Sequence, residues 1–215
     1  MKTVVYTALA LTVASLEIGC SNLERSRDTG DPHVSAKTLA MQVCSNCHGV
    51  DGNSVSPNFP KLAGQQEDYI VAQLTYFRSH NREDPAGFEY MWGISKKLTD
   101  DQIKGLAAYF SQQKTAPNIA GNPAVAATGK TIFETGIPGK DVSACSGCHG
   151  ETALGNGIFP RLADQHADYM IKQLHVLKDT NQRPAGEMMK PLVHGLKPAD
   201  VIAVTTYLQG ISSYK

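Results

Sequence analysis

From Ser35 onward, apolar side chains return every three or four positions instead of every second one. That spacing gives a helix one apolar face, whereas a half-buried strand would alternate. Ala36, Leu39, Ala40 and Val43 mark a first helix over 35–43. Tyr69, Ile70, Gln73, Leu74 and Phe77 share one side of a second. Ile103, Leu106, Ala107 and Phe110 form the stripe of a third, which opens at Thr99, where Gln102 three residues on completes a capping box. No stretch carries a strand pattern, so the expected class is all-α.

The same order of helices returns about a hundred positions later. Val125, Gly129, Ile132 and Phe133 mark a helix over 124–134, with Gly129 placed to let another helix approach closely. Tyr169, Met170, Gln173, Leu174 and Leu177 mark the middle helix, and Val201, Val204 and Leu208 the last, with Pro198 in its first turn. The identity extends to the residues: FPKLAGQQEDYIVAQL from Phe59 answers FPRLADQHADYMIKQL from Phe159. A domain has been duplicated, not merely a motif. Pro, Asn and Gly interrupt both helical periods in KTAPNIAGNPA, which sets expected domains at 35–114 and 124–215 with a linker at 115–123.

One motif recurs where the first helix of each half ends: CSNCHG at Cys44–Gly49 and CSGCHG at Cys145–Gly150. Two cysteines three apart lie about one helical turn from each other. A histidine directly after the second projects from nearly the same face, which is the attachment geometry of a c-type haem. Cys44 and Cys47, then Cys145 and Cys148, would each bond the two vinyl groups of one porphyrin, and His48 and His149 would ligate the two irons. A thioredoxin-like pair would sit near a βαβ pattern, and zinc knuckles would not place His after Cys both times. Pro60 and Pro160 occupy matching places beyond the histidines, where their carbonyls can accept the remaining ring N–H, unless they are simply turn prolines.

The iron's opposite side decides what such a domain does. A methionine there favours the ferrous state and raises the potential, while an open place permits catalysis. Met91 follows the loop HNREDPAGFEY and precedes the last helix, so it is the expected sixth ligand of the first haem, with His80 the alternative. Met41 lies just before Cys44 and reads as core. In the second half Met189 precedes Leu196 with the spacing by which Met91 precedes Leu98, which favours Met189 over Met188 and His194.

Composition adds the setting. The 215 residues carry 20 basic and 20 acidic side chains with no basic run, which gives no footing for nucleic acid. Residues 1–20 read as an export signal, with Lys2 ahead of an apolar run from Val4 to Ala14 that is too short for a typical membrane span. Cys20, between Gly19 and Ser21, resembles a bacterial lipid-attachment site, although Glu17 stands where that motif prefers an aliphatic residue. Either the cysteine keeps a lipid or it leaves with the signal. Residues 21–34 are polar and aperiodic, as a tether would be.

Taken together, the two CxxCH motifs, the FP-x-LA and DY-x-x-x-QL repeats and the late methionines make the chain resemble the dihaem cytochrome c4 family, from about Ser35 to the C-terminus. That resemblance implies two tandem cytochrome c domains, each wrapped around one covalent haem. It further implies a periplasmic electron carrier, not an enzyme, working from a cytochrome bc complex toward a terminal oxidase. The competing readings are an electron-accepting subunit of a dehydrogenase, similar to the dihaem subunit of sulfide-oxidising flavocytochromes, and an enzyme with one open iron. The family can be electrically polarised between domains, yet here the halves nearly balance. Leu23–Ala120 holds ten basic and eleven acidic side chains, and Gly121–Lys215 holds nine and eight.

Overall fold

Ser35 opens the first helix by accepting the Thr38 amide on its hydroxyl at 3.1 Å. This is the start of an all-helical chain whose computed structural model describes residues 22–212. The export signal and Cys20 lie outside the described residues. Helix α1 (Ala36–Leu39) runs through a wide π turn (Ala40–Cys44) into α2 (Ser45–His48). Next come α3 (Glu67–Arg78), a second π turn (Gly87–Met91), α4 (Trp92–Ser95) and α5 (Asp100–Ser111). The second half repeats the plan with α6 (Pro123–Thr135), α7 (Ser146–His149), α8 (Ala167–Asp179), α9 (Met189–Val193) and α10 (Pro198–Gly210). Among the described residues there is no strand, only two isolated bridges, Ile137 with Val142 and Asn156 with Phe159.

Each half closes its own core. In the first, Leu39, Ile70, Ile103, Leu106 and Phe110 pack together as α1 and α3 lean on α5. In the second, Phe133, Met170, Val201, Val204 and Leu208 do the same as α6 and α8 lean on α10. Each such side chain taken out of water contributes about 1.5–3 kcal/mol. The α6–α10 crossing is very close: a Cβ on Gly129 would collide with the carbonyl of Ala203. The capping box at Thr99 forms in full, and Asn122 caps α6 with Pro123 at its first position.

Two features differ from expectation. Met41 is 42 % exposed, not core, because the π turn shifts the helical phase so that Ala40 takes the inward place. The segment at 21–34 is pinned at its far end: Val34 is buried, and the Gln102 side chain donates to the carbonyls of Asp31 at 2.9 Å and Val34 at 3.0 Å.

The halves are joined by reciprocal bonds that the repeat makes pseudo-symmetric. Gln165 accepts from the Lys61 amide and donates to the Lys61 carbonyl, both at 2.9 Å. Gln65 does the same to Arg161, at 2.6 and 3.1 Å. Gln66 donates to the Leu154 carbonyl at 2.8 Å, and His166 donates through Nε2 to the Ser54 carbonyl at 2.8 Å. These are side chain-to-backbone bonds across the seam, most of them buried, where each unmade buried partner would cost about 1–3 kcal/mol. They hold the two domains in one orientation.

Candidate functional site

The short helices α2 and α7 place each cysteine pair and its histidine on a single turn. They stop because Gly49 and Gly150 adopt φ of 80° and 77°, a region that favours glycine. The imidazoles point inward: His48 and His149 are buried, and their Nδ1–H groups donate to the Pro60 carbonyl at 2.9 Å and the Pro160 carbonyl at 3.0 Å. Burial holds both rings below the usual histidine pKa, so each is neutral and keeps its Nε2 lone pair free for an iron. The proline carbonyls expected from the repeat therefore do orient the rings.

The thiols are not paired with each other. Burial pushes Cys44 up to about 12 and Cys145 up to about 11. A redox-active pair works through a depressed thiol pKa, and burial shifts Cys44 and Cys145 the other way. Nor, among the described residues, do three His, Cys, Asp or Glu side chains cluster as a protein-only metal site would need. Thioether bonds to a porphyrin, with one imidazole below it, fit this donor set in both halves.

Met91, the expected ligand opposite His48, ends the π turn and is half-buried. Phe59 connects it to the histidine: its ring lies edge-on to His48 at 6.2 Å and to Tyr90, the neighbour of Met91, at 5.8 Å. In the second half Phe159 lies edge-on to His149 at 6.3 Å. Met189 opens α9 and packs against the same core cluster as Cys145. Its rivals face away, with Met188 57 % exposed and His194 exposed at the end of α9. His80 is exposed too and stacks on Trp92 at 4.1 Å and 11°.

One cluster was missed by sequence reasoning. Where α3 and α8 face each other, Arg82 and Asp84 are buried and form a two-armed ion pair at 2.9 and 3.0 Å. Arg82 also donates to Gln73 at 2.8 Å and Gln173 at 3.1 Å, and its guanidinium covers the Phe77 ring at 4.4 Å. Arg183, from the other domain, donates to Gln173 at 2.6 Å and Gln73 at 3.0 Å. Burial opposes ionisation of Asp84, but the charge and hydrogen bonds of Arg82 hold its carboxyl below the usual range. The only signal was that Gln73 and Gln173 interrupt, at matching places, helix faces that are otherwise apolar.

The paired motifs and twin helical domains are those of a cytochrome c built twice. The sequence model of cytochrome c matches residues 34–114 and again 126–212, and the chain belongs to that family, in its dihaem cytochrome c4 branch. Cytochrome c4 of Stutzerimonas stutzeri is 38% identical over 85% of this chain and 93% of its own. The crystal structure of reduced recombinant cytochrome c4 from Pseudomonas stutzeri superposes with a TM-score of 0.72 at 37% identity, covering 82% of this chain and 97% of that one. A thiosulfate dehydrogenase electron acceptor from Thiomonas intermedia is 34% identical over 77% of this chain and 76% of its own. The chain is accordingly an electron carrier with two covalently bound haem c groups.

Proposed function

We propose that this chain is a periplasmic carrier taking electrons from a cytochrome bc complex toward a terminal oxidase. In this reading residues 35–114 and 124–215 each hold one haem. Cys44 and Cys47 would hold the first, with His48 and Met91 as its iron ligands, and Cys145 and Cys148 would hold the second, with His149 and Met189. Each haem supplies a one-electron ferric–ferrous couple when bound. The protein orients His48 and His149 through Pro60 and Pro160 and sets the Phe59 and Phe159 rings edge-on to them, and Met91 and Met189 would fill the remaining iron positions. The observation that carries the reading is the reciprocal Gln65 and Gln165 seam, which keeps two redox sites at a fixed separation so that an electron entering one domain reaches the other without domain motion.

Among the described residues no helix is long and apolar enough to cross a membrane. A tether, if the mature chain has one, would be a lipid on Cys20. Mass spectrometry of the mature N-terminus decides it, since a first residue beyond Cys20 removes the anchor.

To test the carrier role, the holoprotein is reduced and mixed with aerated membranes of its host while the haem α-band is followed. Rapid, cyanide-sensitive reoxidation is the expected result. A second reading, a dedicated acceptor for a periplasmic dehydrogenase, is favoured by the likeness to a thiosulfate dehydrogenase electron acceptor. No reoxidation, with haem content and methionine-ligand absorption intact, would move the assignment there.

A further inference from the structure

Each expected methionine ligand is followed directly by a side chain that reaches back to the main chain ten positions earlier. In the first domain Trp92 donates through Nε1 to the Arg82 carbonyl at 2.8 Å. In the second, Lys190 donates through Nζ to the Thr180 carbonyl at 3.3 Å and to Asn181 Oδ1 at 2.7 Å. Both acceptor carbonyls lie just beyond the middle helix of their domain, α3 or α8, and both donors belong to the short helix that follows, α4 or α9. The loops so closed are related by the repeat, with Pro85-Ala86-Gly87 in one and Pro184-Ala185-Gly186 in the other. An indole and an ammonium group share no chemistry beyond an N–H that can donate. What the two domains have in common is therefore the closure of the loop, not the residue that makes it.

The two straps differ in stiffness. The Trp92 ring is held on its own account: His80 stacks on it, the Phe88 ring lies edge-on at 6.3 Å, and a Cβ on Gly87 would collide with the Arg82 carbonyl and stand 3.0 Å from Nε1. Lys190 is half-buried on a flexible stem, and it holds acceptors on two consecutive residues.

We propose that Trp92 and Lys190 are positioning residues for the two methionine ligands, each closing its loop so that the preceding sulfur is held at its iron. The inference rests on the two-haem assignment and on the placing of Met91 and Met189 as ligands. A thioether is a soft, neutral ligand, and imidazole suits iron well, so the sulfur is open to competition. A loop that is already closed gains little freedom by releasing its methionine, whereas an open loop gains more and favours the competitor.

The test is a titration of the oxidised holoprotein with imidazole, read from the loss of the sulfur-to-ferric-iron absorption, with the denaturation midpoint measured alongside. Met91→Ala and Met189→Ala each retain one sulfur ligand and so assign the phase that belongs to each domain. Trp92→Phe keeps the stacked ring and removes only the N–H. It should tighten imidazole binding at the first haem by about fivefold, the factor that one hydrogen bond of ordinary net strength supplies, and leave the second haem unchanged. Lys190→Leu should do the same at the second haem alone, and Lys190→Arg, which keeps a donor, should stay near the parent. An unchanged imidazole constant in Trp92→Phe or Lys190→Leu, even with a lowered denaturation midpoint, would overturn the proposal for that residue, because a merely structural contact moves the midpoint and not the competition. A change shared by both haems in either variant would overturn it too, as would a Lys190→Arg protein that behaves like Lys190→Leu. Full sulfur absorption in Met91→Ala or Met189→Ala would instead defeat the ligand assignment.

Discussion

A buried imidazole that donates Nδ1–H to a proline carbonyl has no freedom of tautomer, and this is how His48 and His149 present Nε2. The opposite ligand is a choice among neighbours, and in the second domain exposure separates them. Met189 packs against the core cluster of the second domain, while Met188 is 57 % exposed. Met189→Ala should abolish the sulfur-to-ferric-iron absorption of one haem and lower its potential, and Met188→Ala should leave the spectrum of the parent. An unchanged spectrum in Met189→Ala would place the ligand elsewhere. The bonds from His48 and His149 to the proline carbonyls were legible because their setting is local: a turn of helix sets the motif, and the repeat marks the prolines. Arg82 and Asp84 were not, since two charged residues in a polar loop look solvated until a second domain covers them.

Helix by helix, the period of apolar residues placed the main elements, and the Thr99 capping box and the Gly129 crossing formed as read. What the period could not show is a change of winding. The π turn at Ala40–Cys44 carries α1 into the haem motif without a break and turns Met41 outward. Gly129→Ala should destabilise the holoprotein in a denaturant titration by about 1–3 kcal/mol, since the obstructing atom is backbone and cannot swing aside. Better helix propensity offsets only about 1 kcal/mol of that. The matching crossing in the first domain offers a stricter check. A Cβ on Gly105 would stand 2.6 Å from the Ala36 Cβ, so Gly105→Ala should destabilise and adding Ala36→Gly should restore the midpoint. Failure of the second substitution to rescue would mean that the helices meet elsewhere.

At the scale of the whole molecule, the two domains act as one because their seam is built from side chain-to-backbone bonds across about a hundred residues of sequence. No local pattern announces such bonds. The repeat does expose one break in the symmetry: His166 stands where the first domain has Gln66, and both donate to a carbonyl of the other half. Glutamine cannot titrate, but histidine can. Burial pushes the His166 pKa below its ordinary value of 6.5, outweighing the bond to Ser54; Lys61 adds to the depression and Asp168 opposes it. A group with a lowered folded pKa of this kind binds fewer protons in the docked state than when released. Docking is therefore strongest above about pH 6.5 and weakens as pH falls from there toward the lowered folded value. His48 and His149 do not contribute to this in the holoprotein if their Nε2 atoms are bound to iron. His166→Gln copies the first domain's solution, and it should flatten the acid limb of a stability-against-pH curve while leaving the neutral plateau near that of the parent. An identical acid limb in parent and variant would show that other groups set the response and that the asymmetry at 66 and 166 carries no pH sensitivity.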